Sequence, residues 1–194
     1  SVTEVTPYAE VNGLIHFRNN SRPIQLLGLS PASIPAGIDA VLAEASVTIP
    51  GDNQLLLSEV VASALNVEVG QRITVILPGA EGATRAVSLT VAGLFATHTE
   101  MDQVFALGSL QQVAALAGLD GLAQGFRVQI DDQFNARNQG YALLETLPYG
   151  YGFRDWFQTH GNLYQAIQLS RNMVGLLIFM IIAIAAFNVI SMLM

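Results

Sequence analysis

The chain has 194 residues, a net charge of −7 and a mean hydropathy of +0.45, and its eight basic residues are scattered arginines. These scattered arginines form no basic run, so nucleic acid is a poor fit and anionic lipid would not be attracted. The absence of cysteine excludes disulfides and thiol chemistry, and a chain without cysteine suits an oxidising compartment. The apolar excess is concentrated after Arg171, where no charged residue occurs.

Short strands and helices alternate over the first part of the chain. GLIHFRNNSRPIQLLGL predicts a hairpin, because two apolar-rich runs flank the turn-forming Asn19-Asn20-Ser21. Pro31 and Pro35 lie in the loop that follows. GIDAVLAEA then predicts a short helix.

A buried strand and a capped helix are predicted next. Gln54 to Leu57 form an apolar run of strand length, Ser58 suits an N-cap, and Glu59 is favourable in a first helical turn. The predicted apolar face of this helix consists of Val60, Val61, Ala64 and Leu65.

The later patterns predict a hairpin and two further strand–helix pairs. Gly70 provides a turn into a strand over Gln71 to Leu77, and VSLTV over 87–91 alternates like a half-exposed strand. QVFALG and GFRVQID are strands, SLQQVAALAG is a helix capped by Ser109, and FNARNQGYALLETL is another helix. Strands mixed with one-sided helices predict an α+β domain.

The motifs offer no catalytic constellation. The sequence has no phosphate-binding loop and no G-x-S-x-G nucleophile motif. THTEMD brings His98, Glu100 and Asp102 close together, and we interpret it as a polar loop rather than a metal site. We therefore expect a chain that is not an enzyme and has no catalytic residue, metal or cofactor of its own. A membrane-anchored enzyme remains the alternative if a cleft with converging titratable groups exists.

The closing segment predicts a transmembrane helix. Residues 172–194 carry no charge and would rise about 35 Å as a helix, against a hydrocarbon core of about 30 Å. A buried core helix is the alternative, and Asn188 is expected to face another helix. The segment before it predicts an amphipathic helix. The expected organisation is a domain over 1–154, a pre-membrane helix over 155–171 and the membrane helix over 172–194.

The residues from Gln54 to Ala96 resemble a known periplasmic domain. The positions that carry the resemblance are Leu57-Ser58, Ala64-Leu65, Val67, Gly70 and Val91-Ala92-Gly93. In this pattern the chain resembles the periplasmic core domain of MacB-type (type VII) ABC transporter membrane subunits. That resemblance implies a MacB-like α+β fold.

The C-terminal forty residues narrow the resemblance. They are similar to the pre-membrane helix and second transmembrane helix of the LolC/LolE family of the lipoprotein-releasing system, at Trp156, Gly161, Gln165-Ala166, Arg171 and Ala186-Phe187-Asn188. The family's first strand and first transmembrane helix have no counterpart, so we expect the chain to be a fragment of a longer protein.

The resemblance implies a non-catalytic subunit of an ATP-driven transporter in the bacterial inner membrane, with its main domain in the periplasm. It would release outer-membrane lipoproteins and pass them to a LolA-like carrier. Its partners would be a LolD-like ATPase, which binds ATP and Mg, a second LolC/LolE-type subunit, the lipoprotein and membrane lipid, but no nucleic acid. The alternatives are a MacB-like efflux subunit, an FtsX-like signalling subunit and a passive anchor.

Two groups of site residues follow from the resemblance. The lipid-facing wall nearest the periplasm would bind acyl chains, and its candidates are Met173, Val174, Leu177, Met180 and Ile181. The tip of the second hairpin would contact a partner through Pro78, Glu81 and Arg85. This hairpin is short for a LolC-type hook and favours LolE, whereas GNLYQAIQLSRNMVGLL favours LolC, so both subgroups stay open.

Overall fold

The computed structural model describes residues 2–78, 83–120, 122–132 and 135–193. The chain divides into two compact units, residues 1–131 and 132–194. The strands of the first unit are β1 (Val2–Phe17), β2 (Asn20–Leu29), β3 (Gln54–Ser58), β4 (Arg72–Pro78), β5 (Thr84–Phe95), β6 (Phe105–Ser109) and β7 (Gly125–Ile130). Its helices are α1 (Ala36–Glu44), α2 (Glu59–Leu65) and α3 (Leu110–Leu116), and the second unit contains α4 (Ala136–Leu144) and α5 (Trp156–Leu193).

The first two strands form the predicted hairpin, with its turn placed slightly earlier than expected. Phe17 pairs with Asn20, so Arg18 and Asn19 are the two turn residues, and Asn20 already belongs to the ladder. Arg18 adopts a left-handed φ of 53°, which permits the tight reversal.

The strand pairings close a ring. The order is β2-β6-β3-β5-β4-β1, and β1 also pairs with β2, while β7 pairs with the first part of β1. The pairs β2–β6 and β3–β5 are parallel and the other pairs are antiparallel. This mixed sheet with helices packed on it confirms the α+β prediction.

The sheet is buried on both faces over its central strands. Leu26 and Leu57 pack in one core with α2 and α3, whereas Leu27 and Leu56 pack in a second core with α1. Because neighbouring residues of β2 and β3 point into different cores, both strands have continuous apolar sequences rather than alternating ones.

Two serines cap helices as the sequence predicts. Ser58 accepts a hydrogen bond from the Val61 N–H at 3.2 Å, and Ser109 accepts one from the Gln112 N–H at 3.2 Å. The predicted apolar face of α2 was partly wrong, because Val60 is 48% exposed while Val61, Ala62 and Leu65 are buried. Once the cap fixes the start of α2, the spacing of Val61 and Leu65 turns Val60 outwards.

Gly13 lies where β1 meets β4 and closes the ring. A Cβ at this position would lie 2.6 Å from Leu77 Cδ2 and 2.7 Å from the Ile76 carbonyl oxygen. Because one of these atoms belongs to the backbone, the contact cannot be relieved by a side-chain rotation alone.

A Gly13→Ala variant is therefore expected to lower the free energy of unfolding by about 1–3 kcal/mol, the usual cost of overpacking. Thermal unfolding of the purified chain would measure this loss. Gly51→Ala is the matched control, because no atom lies within 4 Å of its Cβ position. Equal melting temperatures for the two variants would contradict the proposed role of Gly13.

Candidate functional site

Helix α5 is the feature of the chain with the clearest bearing on function. It runs without interruption from Trp156 to Leu193 and contains no proline. Within it, the candidate membrane span is Ala166–Met192, whose most apolar 18 residues have a mean hydropathy of 2.7 and are not buried. These 27 residues rise about 40 Å, enough to cross a hydrocarbon core of about 30 Å. The predicted pre-membrane and membrane helices are parts of this one helix.

The five acyl-chain candidates share one side of α5. At about 100° per residue, Met173, Val174, Leu177, Met180 and Ile181 fall within an arc of about 120°. All five side chains are more than half exposed, as are those on the other side, including Ile178 and Ile182. The helix thus presents them together, and their role as a binding face stays a prediction.

The second predicted site lies at the end of the β4–β5 hairpin. Pro78 pairs with Thr84, and both Pro78 and Arg85 are exposed. Glu81 lies outside the described residues. The pairing leaves five residues, 79–83, for the connection, which agrees with the short loop expected from the sequence.

The THTEMD segment folds around the carboxylate of Asp102. That carboxylate accepts hydrogen bonds from the Thr97 N–H at 2.9 Å, the Thr97 hydroxyl at 2.7 Å and the His98 N–H at 2.9 Å. The Asp102 carbonyl oxygen also accepts a bond from the Ser58 hydroxyl, which ties the segment to the start of α2. Burial alone raises the pKa of Asp102, but these hydrogen bonds outweigh it and lower the pKa below the ordinary value of 3.8.

An Asp102→Asn variant is expected to lose about 1–3 kcal/mol of stability at neutral pH, because an amide replaces the charged acceptor. The folded-state pKa is depressed, so this contribution is present above the unfolded pKa and is lost as the pH falls through the folded one. Chemical denaturation at several pH values should therefore show the two proteins converging below the ordinary pKa of 3.8. Glu100→Gln, an exposed change in the same turn, is the control. A constant difference at all pH values would refute the electrostatic explanation.

A cleft of about 300 Å³ opens beside α1 on the second core. Its floor includes Leu27, Phe95 and Leu107, and Glu10 and Arg127 lie among its lining residues. Among the described residues, no group of three histidine or acidic side chains is placed to hold a metal ion. The described lining contains the charged residues Glu10 and Arg127 and no histidine.

Asp155 connects the two helices of the second unit. Its Oδ1 accepts a hydrogen bond from the Gln158 N–H in the first turn of α5, at 2.9 Å. Its Oδ2 accepts one from Arg137 Nε of α4, at 3.0 Å. The Asp155 side chain is 2% exposed and that of Arg137 is 50% exposed.

Sequence reasoning did not identify this Asp155 contact. An aspartate directly before a predicted helix is an N-cap signal, so the capping half of the contact could have been found. Arg137 lies 18 residues upstream in a different helix, and no spacing rule connects it with Asp155.

The chain was compared with known proteins. No protein-family model matches it. The lipoprotein-releasing system transmembrane protein LolC of Neisseria meningitidis is 29% identical over 203 aligned positions, which cover 98% of this chain and 48% of that protein. The corresponding LolE of Haemophilus influenzae is 27% identical over 143 positions, which cover 71% of this chain and 34% of that protein.

Among solved structures, the extracellular domain of the noncanonic ABC-type transporter YknZ from Gram-positive bacteria has a TM-score of 0.43 and 12% identity. The structural match covers 72% of this chain and 71% of that domain. The two sequence alignments confirm the resemblance to the LolC/LolE family. The chain spans about half or less of the length of the curated relatives it matches, and LolC and LolE are both among them.

Proposed function

We propose that the chain is part of the membrane subunit of an ABC transporter that releases lipoproteins from the inner membrane and passes them to a periplasmic carrier. The observation that carries the proposal is α5, an apolar helix long enough to cross a membrane, which follows the folded first unit and α4 in the same chain. Similarity to LolC over 98% of the chain supports the choice of substrate class.

The physical demand of lipoprotein release fits such a subunit. Moving an acyl chain out of a membrane costs about 0.8 kcal/mol per CH₂, so release needs both an energy source and an apolar shelter. In this proposal a LolD-like ATPase in the cytoplasm binds ATP and Mg. The apolar side of α5 and a second LolC/LolE-type subunit together shelter the acyl chains from water.

The proposed location is the inner membrane, with the first unit in the periplasm. There that unit is positioned to meet a LolA-like carrier, and the exposed end of the β4–β5 hairpin with Pro78 and Arg85 is the proposed contact. The chain's net charge of −7 gives it no general attraction to anionic lipid, so α5 supplies the membrane attachment.

Release can be measured directly with the full-length protein. The complete complex, with its ATPase and second membrane subunit, is reconstituted in proteoliposomes that carry a triacylated lipoprotein. Added ATP and carrier are expected to yield soluble lipoprotein–carrier complexes, and a non-hydrolysable ATP analogue is the control. ATP hydrolysis without release, together with recruitment of an outer-membrane channel or a hydrolase activator, would instead indicate the efflux or signalling alternative.

A further inference from the structure

We propose that Asp155 is a positioning residue that fastens α4 to the first turn of α5 and so transmits movement to the proposed membrane helix. This inference rests on the proposed function. Each carboxylate oxygen serves a different helix, since Oδ1 caps α5 through the Gln158 N–H and Oδ2 binds Arg137 of α4. One side chain therefore fixes the start of α5 relative to α4.

The residues just before Asp155 strengthen this contact. Phe153 packs over Gly140 of α4, where an added Cβ would lie 2.5 Å from the Phe153 ring. The same ring meets that of Tyr141 edge to face, with centroids 5.0 Å apart. Gly140 thus allows the aromatic ring to lie directly on the helix, and the chain returns to α4 immediately before α5 begins. We call Arg137, Gly140, Tyr141, Phe153 and Asp155 the clasp.

The charge state of the clasp is stable at neutral pH. Burial by itself raises the pKa of Asp155, but the hydrogen bond from Arg137, the Gln158 N–H and the positive charge of Arg137 together lower it. The carboxylate consequently stays ionised well below neutral pH and keeps both hydrogen bonds. Hydrogen bonds to a charged acceptor are stronger than neutral ones, which suits a contact that transmits force.

The expected consequence is mechanical. With the clasp closed, α4 and the start of α5 move as one piece, so a displacement of the helix at the membrane reaches α4. With the clasp open, α5 can turn without carrying α4 along. The transporter would then hydrolyse ATP without completing release.

The test uses Asp155→Asn and Arg137→Gln in the full-length complex. Asp155→Asn keeps an oxygen that can cap α5 but removes the charge that Arg137 binds. Each variant is expected to consume at least about fivefold more ATP per released lipoprotein, because losing a hydrogen bond to a charged group shifts an equilibrium by that factor or more. Arg137→Lys keeps the charge and is expected to recover most of the coupling. Glu145→Gln, which removes an exposed charge at the end of α4, is the matched control.

A second measurement detects the clasp itself. These 194 residues contain no cysteine, so spin labels are placed at Ala142→Cys in α4 and Ser170→Cys in α5 once any cysteine elsewhere in the full-length protein has been replaced by serine. A narrow distance distribution is expected with the clasp intact and a broad one in Asp155→Asn and Arg137→Gln. Unchanged distances and an unchanged ATP cost in both variants would overturn the proposal. If the unmodified complex fails to release lipoprotein, the proposed function is wrong, and the distances still decide whether the clasp exists.

Discussion

A Phe179→Arg substitution is expected to abolish most of the chain's integration into membranes. Phe179 is the central residue of Ala166–Met192, where a membrane-spanning helix is farthest from water. An arginine at the centre of such a helix costs about 3 kcal/mol relative to phenylalanine, so integration should fall about 100-fold. The fraction of the 194-residue chain that resists alkaline extraction from membranes measures the effect.

Two control variants define what the Phe179 result means. Phe179→Leu keeps the apolar character and should integrate normally. Ser170→Arg places the same charge near the beginning of the apolar segment, where a long side chain reaches the interface at small cost. Normal integration of Phe179→Arg would mean that this segment lies in a watery or protein environment.

The second large effect is expected on the acyl-chain face of α5. A Leu177→Asn/Met180→Asn double variant should reduce lipoprotein release about tenfold or more, because two apolar side chains no longer contact the acyl chains. ATP hydrolysis by the complex should change little. Release from proteoliposomes, normalised to the amount of integrated complex, is the measurement.

The matched control places the same substitutions on the other side of the helix. Ile178→Asn/Ile182→Asn adds two amides of equal polarity at similar depth, and both isoleucines lie outside the arc of the predicted face. Release per integrated complex is expected within about twofold of the unmodified complex, because in this proposal these two side chains do not contact the acyl chains. Equal losses in the two double variants would remove the basis for choosing this face.

Local structure was largely predictable from the sequence. Ser58 and Ser109 were identified as helix caps because an N-cap bond joins residues only three positions apart. The strand β3 and the half-exposed β5 followed from their apolar patterns in the same way. The error at Val60 arose because an apolar residue in the first turn of a short helix can face either side, and only the cap geometry decides.

Contacts between residues far apart in sequence were harder to predict. The closure of the ring through β1 depends on pairings between residues far apart in sequence, such as Leu14 with Ile76, and on the close approach at Gly13. The structure divides into units at 131/132, and the sequence suggested a domain up to 154. That organisation into domain, pre-membrane helix and membrane helix stays a prediction.

The candidate site was only partly predictable for a related reason. Composition alone identified α5 as a membrane helix candidate, and helical periodicity places the five acyl-chain candidates on one side. The clasp was not predicted because Arg137 lies in α4, 18 residues before Asp155, which precedes α5. Of the hairpin residues, Pro78 and Arg85 are exposed, and their contact with a partner stays a prediction.

The central claim is that α5 crosses a membrane while the first unit faces the periplasm, and thiol labelling in intact spheroplasts tests it most directly. These 194 residues contain no cysteine, so Asp120→Cys in the first unit and Phe179→Cys in α5 each introduce a single reactive group once any cysteine elsewhere in the full-length protein has been replaced by serine. A membrane-impermeant maleimide should label Asp120→Cys at once and leave Phe179→Cys unlabelled until detergent is added. Rapid labelling at position 179, or labelling at position 120 only after lysis, would contradict the account.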